Sequence, residues 1–263
     1  MDRSASAINV LIIVCVILFA VTSVPSLEDD MFRSLALYFP ANGNFGVWQF
    51  VSNIFMHGGF THIFFNMYAL WAFGSPLEKI WGRNRFLIFF FLSGIGAGVI
   101  YILVNYFRFN SLYDQLVAGG VSAEQISSFL RADRDVLETA LNNMAAIAPL
   151  SDEKLFDFWA LFNIPVVGAS GAIYGVLVAF GILFPHAKLF LIFLPVPIAA
   201  KYFIPALIAL DLFSGVTGFS IFGGGVAHFG HVGGAIIGFL LMRYWRTSKP
   251  KREFPEIDSH HPG

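Results

Sequence analysis

The sequence contains few charged residues. Only 13% of its 263 residues are Asp, Glu, Lys or Arg, which is about half of the share in an average soluble domain. The 16 basic and 17 acidic residues nearly cancel, leaving a net charge of −1. No nucleic-acid partner is therefore expected, because nucleic-acid-binding proteins carry a basic stripe or a basic pI. The single cysteine, Cys15, excludes an internal disulfide and a thiolate metal cluster.

Hydrophobic residues are unusually abundant in this chain. The chain is 57% hydrophobic, contains 31 Phe and has a mean hydropathy of +0.70. This composition excludes disorder over most of the length and predicts an all-α polytopic protein in a lipid bilayer. Six stretches are long and apolar enough to cross ~30 Å of hydrocarbon as helices, at approximately 8–25, 52–77, 86–107, 165–185, 197–215 and 224–245.

The first of these stretches has a second interpretation. Arg3 could be the charged start of a secretory signal peptide, with a cleavage site at Val21-Thr22-Ser23. The preferred interpretation is a membrane helix, so that residues 1–247 form one membrane domain.

Two segments are expected outside the bilayer. Residues 109–157 contain eight acidic and three basic residues and are predicted to be an outer-side helical insert between helices 3 and 4. Apolar residues at helical spacing favour one helix over 123–146 within it. Residues 248–263 are predicted to be a disordered cytoplasmic tail.

The distribution of Lys and Arg predicts the orientation. Basic residues are more numerous, and closer to the spans, on the side that holds both termini, so both termini are expected in the cytoplasm. The short termini and the lack of a transit peptide favour a plasma membrane, in particular the inner membrane of a bacterium. Helices 2, 4 and 6 then begin at the outer face.

Polar residues inside membrane spans are costly and often functional. Here they cluster near the outer starts of three helices, at a similar depth. Water from the outer side could reach one shared site there. The residues are His57, His62 and Asn66 on helix 2, Ser170 on helix 4, and His228 and His231 on helix 6.

Their chemistry suggests an activated serine. A Ser170 hydroxyl within reach of an imidazole is a minimal nucleophile and base. His62 and Asn66 are four residues apart on one helix face and could donate hydrogen bonds to an oxyanion. Glycines at four-residue spacing beside Ser170 and His231 would let the helices pack closely. Chemistry alone does not choose between His228 and His231 as the base.

Four motifs in order along the chain resemble the rhomboid family of intramembrane serine proteases. They extend over the predicted membrane domain from about Trp48 to Trp245. Each motif is weak alone, but their order and spacing are specific. The motifs are HGGFTHIFFN at 57–66, GSPLEKIWG at 74–82, GASG at 168–171 and HVGGAIIG at 231–238.

The resemblance implies a six-helix rhomboid fold with a Ser–His dyad and no acid. Ser170 would be the nucleophile and His231 the base, because only His231 is followed by Gly at the third and seventh positions. The oxyanion hole would be the Ser170 amide with His62 and Asn66. The supporting residues would be Tyr174, Gly168 and His57, and no metal or organic cofactor is implied.

Some features stay open. Asp211 is a tempting acid, but the family uses none there, so it is interpreted as structural. Gln49 stands where the family often has Arg, and the consequence for the first outer loop is open. The role of the insert is also open, and so is the question of whether His228 assists His231.

The function expected from this resemblance is endoproteolysis of transmembrane proteins near the outer face of the bilayer. One alternative is a catalytically inactive rhomboid-fold protein that binds transmembrane segments. A small transporter is a third hypothesis, although the internal repeats of many transporters are missing. The sequence does not indicate the substrate or the oligomeric state.

Overall fold

The protein is described by a computed structural model that covers residues 6–191, 194–219 and 227–247. Twelve α-helices and one β-hairpin form this part of the chain. The elements are α1 (Ala7–Thr22), α2 (Pro25–Leu35), α3 (Gln49–Ser52), α4 (Phe60–Ala69), α5 (Ser75–Trp81), α6 (Arg83–Ala118), α7 (Ala123–Leu130), α8 (Leu137–Ala145), α9 (Asp152–Asn163), α10 (Ser170–Leu183), β1 (Lys188–Leu191), β2 (Leu194–Ala199), α11 (Ala200–Thr217) and α12 (His228–Thr247).

Helices predominate, which confirms the all-α prediction in its coarse form. Within the described ranges, α6 and α11 are both long and apolar enough to cross a membrane, whereas α1 and α10 are apolar but shorter. Large apolar side chains such as Ile13, Phe107 and Leu240 lie exposed on the outside of the bundle. An apolar exterior of this kind suits a hydrocarbon environment. The count of six spans stays a prediction, and the predicted tail at 248–263 lies outside the described residues.

Helices α6, α10 and α12 pack together, and α1 lies against the same core. Buried phenylalanines of α6 meet the apolar faces of α1 and α10 there. The Glu78 carboxylate fixes the start of α1, because it accepts hydrogen bonds from the Ser6 hydroxyl at 2.6 Å and from the amides of Ala7 and Ile8 at 2.6 and 3.3 Å. Amides in a first helical turn have no partner within their own helix, so this carboxylate satisfies donors that would otherwise be buried without one.

Two pairs of glycines bring α10 and α12 into backbone contact. A Cβ atom on Gly234 would overlap the carbonyl oxygen of Gly171, and a Cβ on Gly238 would lie 2.8 Å from the carbonyl oxygen of Gly175. The close helix approach predicted from the glycine spacing is thus present. It holds the start of α10 beside the start of α12.

Several predicted helix boundaries were wrong. The helix predicted from residue 52 begins at Phe60, after a 3₁₀ turn at Asn53–Phe55. It widens into a π-helical turn at Leu70–Gly74 just before Pro76, whose nitrogen cannot donate a helical hydrogen bond.

The helix predicted from residue 165 begins only at Ser170. Val166 is extended instead, because its amide donates to the carbonyl oxygen of Leu37 at 2.9 Å and its carbonyl oxygen accepts from the Leu37 amide at 3.0 Å. The predicted span at 197–215 begins at Ala200, after the antiparallel hairpin β1–β2. The prolines at 195 and 197 disfavour a helix there and are compatible with an edge strand.

The insert also differs from its prediction. Helix α6 continues past residue 107 to Ala118 and carries the chain into the insert. The single helix predicted over 123–146 is two helices, α7 and α8, separated by a 3₁₀ turn at Arg134–Val136. A further helix, α9, was not predicted. These helices share a small core of their own around Leu116, Ile126 and Phe158.

We expect Gly234→Ala to destabilise the protein by about 1–3 kcal/mol, because an overpacked contact must separate the two helices. Gly230→Ala on the same helix is the matched control, since its Cβ would meet its nearest neighbour at an ordinary 3.6 Å. Thermal unfolding in detergent, followed by circular dichroism, measures both. Equal unfolding midpoints for the two variants would contradict the backbone contact.

Candidate active site

Ser170 is the first residue of α10, and the chain must turn sharply to place it there. Gly168 makes this turn with a φ of +124°, a conformation that only glycine adopts readily. Its amide donates to the carbonyl oxygen of Asn53 at 2.9 Å. A Cβ at this position would lie 2.7 Å from Nε2 of His62. The glycine therefore allows the His62 ring and the Ser170 hydroxyl to lie side by side.

His231 lies in the first turn of α12, opposite Ser170. Its Nε2 is 2.9 Å from Oγ of Ser170, which is hydrogen-bond distance. The Tyr174 ring stacks on the imidazole, with the ring centres 4.4 Å apart and the planes inclined by 12°. Of the two histidines on α12, His231 is the one that contacts the serine.

Asp211 of α11 lies on the other side of the two histidines. Its Oδ1 is 2.6 Å from Nδ1 of His228 and 3.2 Å from Nδ1 of His231. Its Oδ2 accepts a hydrogen bond from the Tyr174 hydroxyl. Asp211 is only 5% exposed. Water therefore hardly reaches its carboxylate, and the three neighbouring side chains provide its hydrogen-bond partners.

Asp211, His228 and His231 are also the one group in the described ranges whose ligand atoms lie close enough together to suggest a metal. The distances argue against one. Ligands of a tetrahedral zinc at bond lengths of about 2.0–2.1 Å lie roughly 3.3 Å apart, whereas the closest nitrogen and oxygen here are separated by 2.6 Å. This contact fits a hydrogen bond and does not fit metal ligation.

The α4 side of the site carries the two predicted oxyanion donors. The side-chain nitrogen of Asn66 donates to the carbonyl oxygen of His62 at 2.8 Å, which leaves one of its two N–H groups for another acceptor. The His62 ring packs edge-on against His57, with the ring centres 5.1 Å apart. His57 is buried, and its Nδ1 lies 3.2 Å from the carbonyl oxygen of Phe55.

Gln49 has a role that the sequence left open. It is fully buried at the start of the short helix α3. Its side-chain nitrogen donates to the carbonyl oxygens of Asn44 at 2.7 Å and Arg33 at 3.2 Å, and its oxygen accepts from the amide of Tyr38 at 3.2 Å. One neutral amide thus connects the end of α2 to two points of the segment between α2 and α3.

A cavity of about 870 Å³ opens above Ser170. The membrane helices contribute His62, Ser170 and His231 to its walls, and α9 of the insert contributes Phe156 and Leu161. Arg108 and Asp157 also line it, with an ion pair of 3.5 Å between them. The insert is therefore part of the site, which the sequence did not predict.

Known families match this chain over most of its length. The sequence model described as "Rhomboid domain" matches residues 44–129 and 139–247. Presenilin-associated rhomboid-like protein A, mitochondrial, of Danio rerio is 28% identical over 98% of this chain and 52% of its own length. The corresponding Homo sapiens protein is 27% identical, with 89% of this chain and 48% of its own length covered.

A fungal relative is similar to this chain to about the same degree. Rhomboid protein 1, mitochondrial, of Saccharomyces cerevisiae is 27% identical over 76% of this chain and 41% of its own length. The chain spans about half the length of the first two relatives. The prediction of a plasma membrane, in particular a bacterial inner membrane with cytoplasmic termini, is overturned, because all three names place these relatives in mitochondria. The absence of a transit-peptide pattern was insufficient ground for that prediction.

We expect Gly168→Ala to destabilise the protein by about 1–3 kcal/mol, since the new side chain would be held in a strained backbone conformation and would push against His62. Gly43→Ala is the control, because Gly43 has open space around its Cβ position. The thermal unfolding midpoints of the two variants, measured in detergent, test this expectation. A Gly168→Ala protein as stable as Gly43→Ala would show that the turn does not need glycine.

Proposed function

The chain belongs to the rhomboid family, and on that premise we propose that it is an intramembrane serine endopeptidase with a six-helix membrane domain. The observation that carries the proposal is the 2.9 Å separation between Oγ of Ser170 and Nε2 of His231. A serine in hydrogen-bond contact with an imidazole is the arrangement that activates a hydroxyl for attack.

The reaction follows from this contact. As Oγ of Ser170 bonds to the carbonyl carbon of the substrate, its proton passes to Nε2 of His231 and the carbonyl π electrons move onto oxygen. The tetrahedral intermediate then breaks its C–N bond, and His231 returns the proton to the leaving amine. Water, deprotonated by the same imidazole, hydrolyses the acyl-enzyme and restores the serine.

The oxyanion would form between Ser170 and α4. The Ser170 amide belongs to the first turn of α10, where amides lack helical partners and the helix dipole favours negative charge. His62 and the remaining N–H group of Asn66 are the further donors. Removing one such donor typically lowers the rate by about 10²–10³. No cofactor enters this scheme.

The proposed substrates are transmembrane segments of other proteins, cleaved near the membrane face at which α10 begins. A peptide bond inside a regular helix is protected by its hydrogen bonds, so segments with helix-weakening residues near the cut are expected. The cavity between α4 and α9 is where such a segment would lie. We propose a mitochondrial membrane as the compartment, following the names of the relatives.

The reactivity of Ser170 tests the proposal without a known substrate. Wild type, Ser170→Ala, His231→Ala and His228→Ala are purified in detergent, checked for folding and exposed to a fluorophosphonate that labels activated serines. Labelling should be lost in Ser170→Ala and fall by at least about 10² in His231→Ala, as expected for loss of a general base. His228→Ala should label within about tenfold of the wild type.

The opposite result is equally informative. If folded wild type is not labelled in detergent or in lipid vesicles, Ser170 is not activated and the endopeptidase proposal fails. The alternative is then an inactive family member that binds transmembrane segments. Equal loss of labelling in His228→Ala and His231→Ala would reject His231 as the single base.

A further inference from the structure

We infer that Asp211 is a positioning residue for His231, so that this site works as a Ser170–His231–Asp211 relay rather than a two-residue dyad. The inference rests on the proposed function and deepens it. It comes from the carboxylate oxygen that lies 3.2 Å from Nδ1 of His231, on the side of the ring opposite Ser170.

The geometry fixes which nitrogen of His231 carries the proton. A carboxylate can only accept from Nδ1, so Nδ1 must hold a hydrogen when it meets Asp211. Nε2 is then the free lone pair, and it faces the Ser170 hydroxyl at 2.9 Å. This is the tautomer that a general base needs. Without a carboxylate at Nδ1, the imidazole could protonate Nε2 instead and lose its basic atom on the serine side.

Asp211 is itself held in place by two further donors. The Tyr174 hydroxyl donates to its Oδ2, and Nδ1 of His228 lies 2.6 Å from its Oδ1. Three donors thus surround a carboxylate whose side chain is only 5% exposed, so both of its oxygens have hydrogen-bond partners within the protein. During the reaction the carboxylate keeps its charge, stabilises the imidazolium and takes no proton.

The first experiment measures the rate constant of fluorophosphonate labelling per folded molecule. Asp211→Asn should label about 10²–10⁴-fold more slowly than the wild type, because Asn can present an N–H to Nδ1 and stabilise the wrong tautomer. Asp211→Glu should recover part of the rate, since it restores a carboxylate. Tyr174→Phe is the matched control: it removes one hydrogen bond from the same carboxylate, keeps an aromatic ring against His231 and should cost less than tenfold.

The pH dependence of labelling separates positioning from simple structural support. The pH profile of labelling should change in Asp211→Asn, because the imidazole loses a neighbouring negative charge, and should stay close to that of the wild type in Tyr174→Phe. The other titratable groups around His231 are His62 on α4, Tyr101 on α6, Tyr174 on α10 and His228 on its own helix. All of them remain in Asp211→Asn, so a shift there is due to the carboxylate.

A second measurement needs no folded Asp211 variant. Nitrogen NMR of wild type with ¹⁵N-labelled histidine distinguishes the two tautomers, and His231→Ala identifies the resonance. We expect Nδ1 of His231 to be protonated near neutral pH. An Nε2-protonated His231, or an Asp211→Asn protein that labels at the wild-type rate with the wild-type pH profile, would overturn the inference. A correct tautomer in a protein that never labels would instead contradict the proposed function and leave the relay geometry intact.

Discussion

The site depends on the distance between two helix backbones. Ser170 and His231 lie on α10 and α12, and the separation of these helices is set where Gly234 meets the carbonyl oxygen of Gly171. Lipid tails offer no hydrophobic force to press helices together, so close packing of small residues has to supply the attraction. A hydrogen bond of 2.9 Å tolerates only a few tenths of an ångström of stretching. The two glycines therefore fix a chemical contact in which they take no direct part.

The buried polar atoms of this bundle do not all have hydrogen-bond partners. In hydrocarbon, an unpaired polar group costs several kcal/mol. On the α12 side, Asp211 lies within hydrogen-bond distance of three donors, on Tyr174, His228 and His231. Three side-chain atoms are buried without a partner among the described residues: Nε2 of His57 and Oδ1 of Asn66 on the α4 side, and Oγ of Ser93 on α6. Buried polar atoms of this kind call for an explanation. For a proposed oxyanion, Asn66 can offer its second N–H group but not its oxygen, because only a donor stabilises negative charge.

The sequence predicted most helices and the close approach of α10 and α12, but it did not predict every contact at the site. Apolar run lengths located the helices, and the spaced motifs located Gly168, Ser170 and His231, because each motif is local in sequence. Helix starts were placed too early where Gly58 and Gly59 or Pro165 precede them, since an apolar run does not show where hydrogen bonding begins. The contact between Asp211 and His231 could not be predicted from a local motif. The two residues are 20 positions apart and lie on different helices, so their distance depends on how α11 packs against α12.

The resemblance to a family did not predict that the insert lines the cavity beside Ser170. The four motifs all lie in the membrane domain, so they predict the serine and its immediate neighbours and say nothing about residues 109–157. Yet α6 continues without a break into the insert, and α9 returns the chain to Ser170 with Phe156 and Leu161 on the cavity wall. A segment seated in this cavity would contact the insert and Ser170 together. The proposed chemistry thus depends on residues that the motifs identify, whereas the cavity beside Ser170 is lined partly by residues that lie outside the motifs.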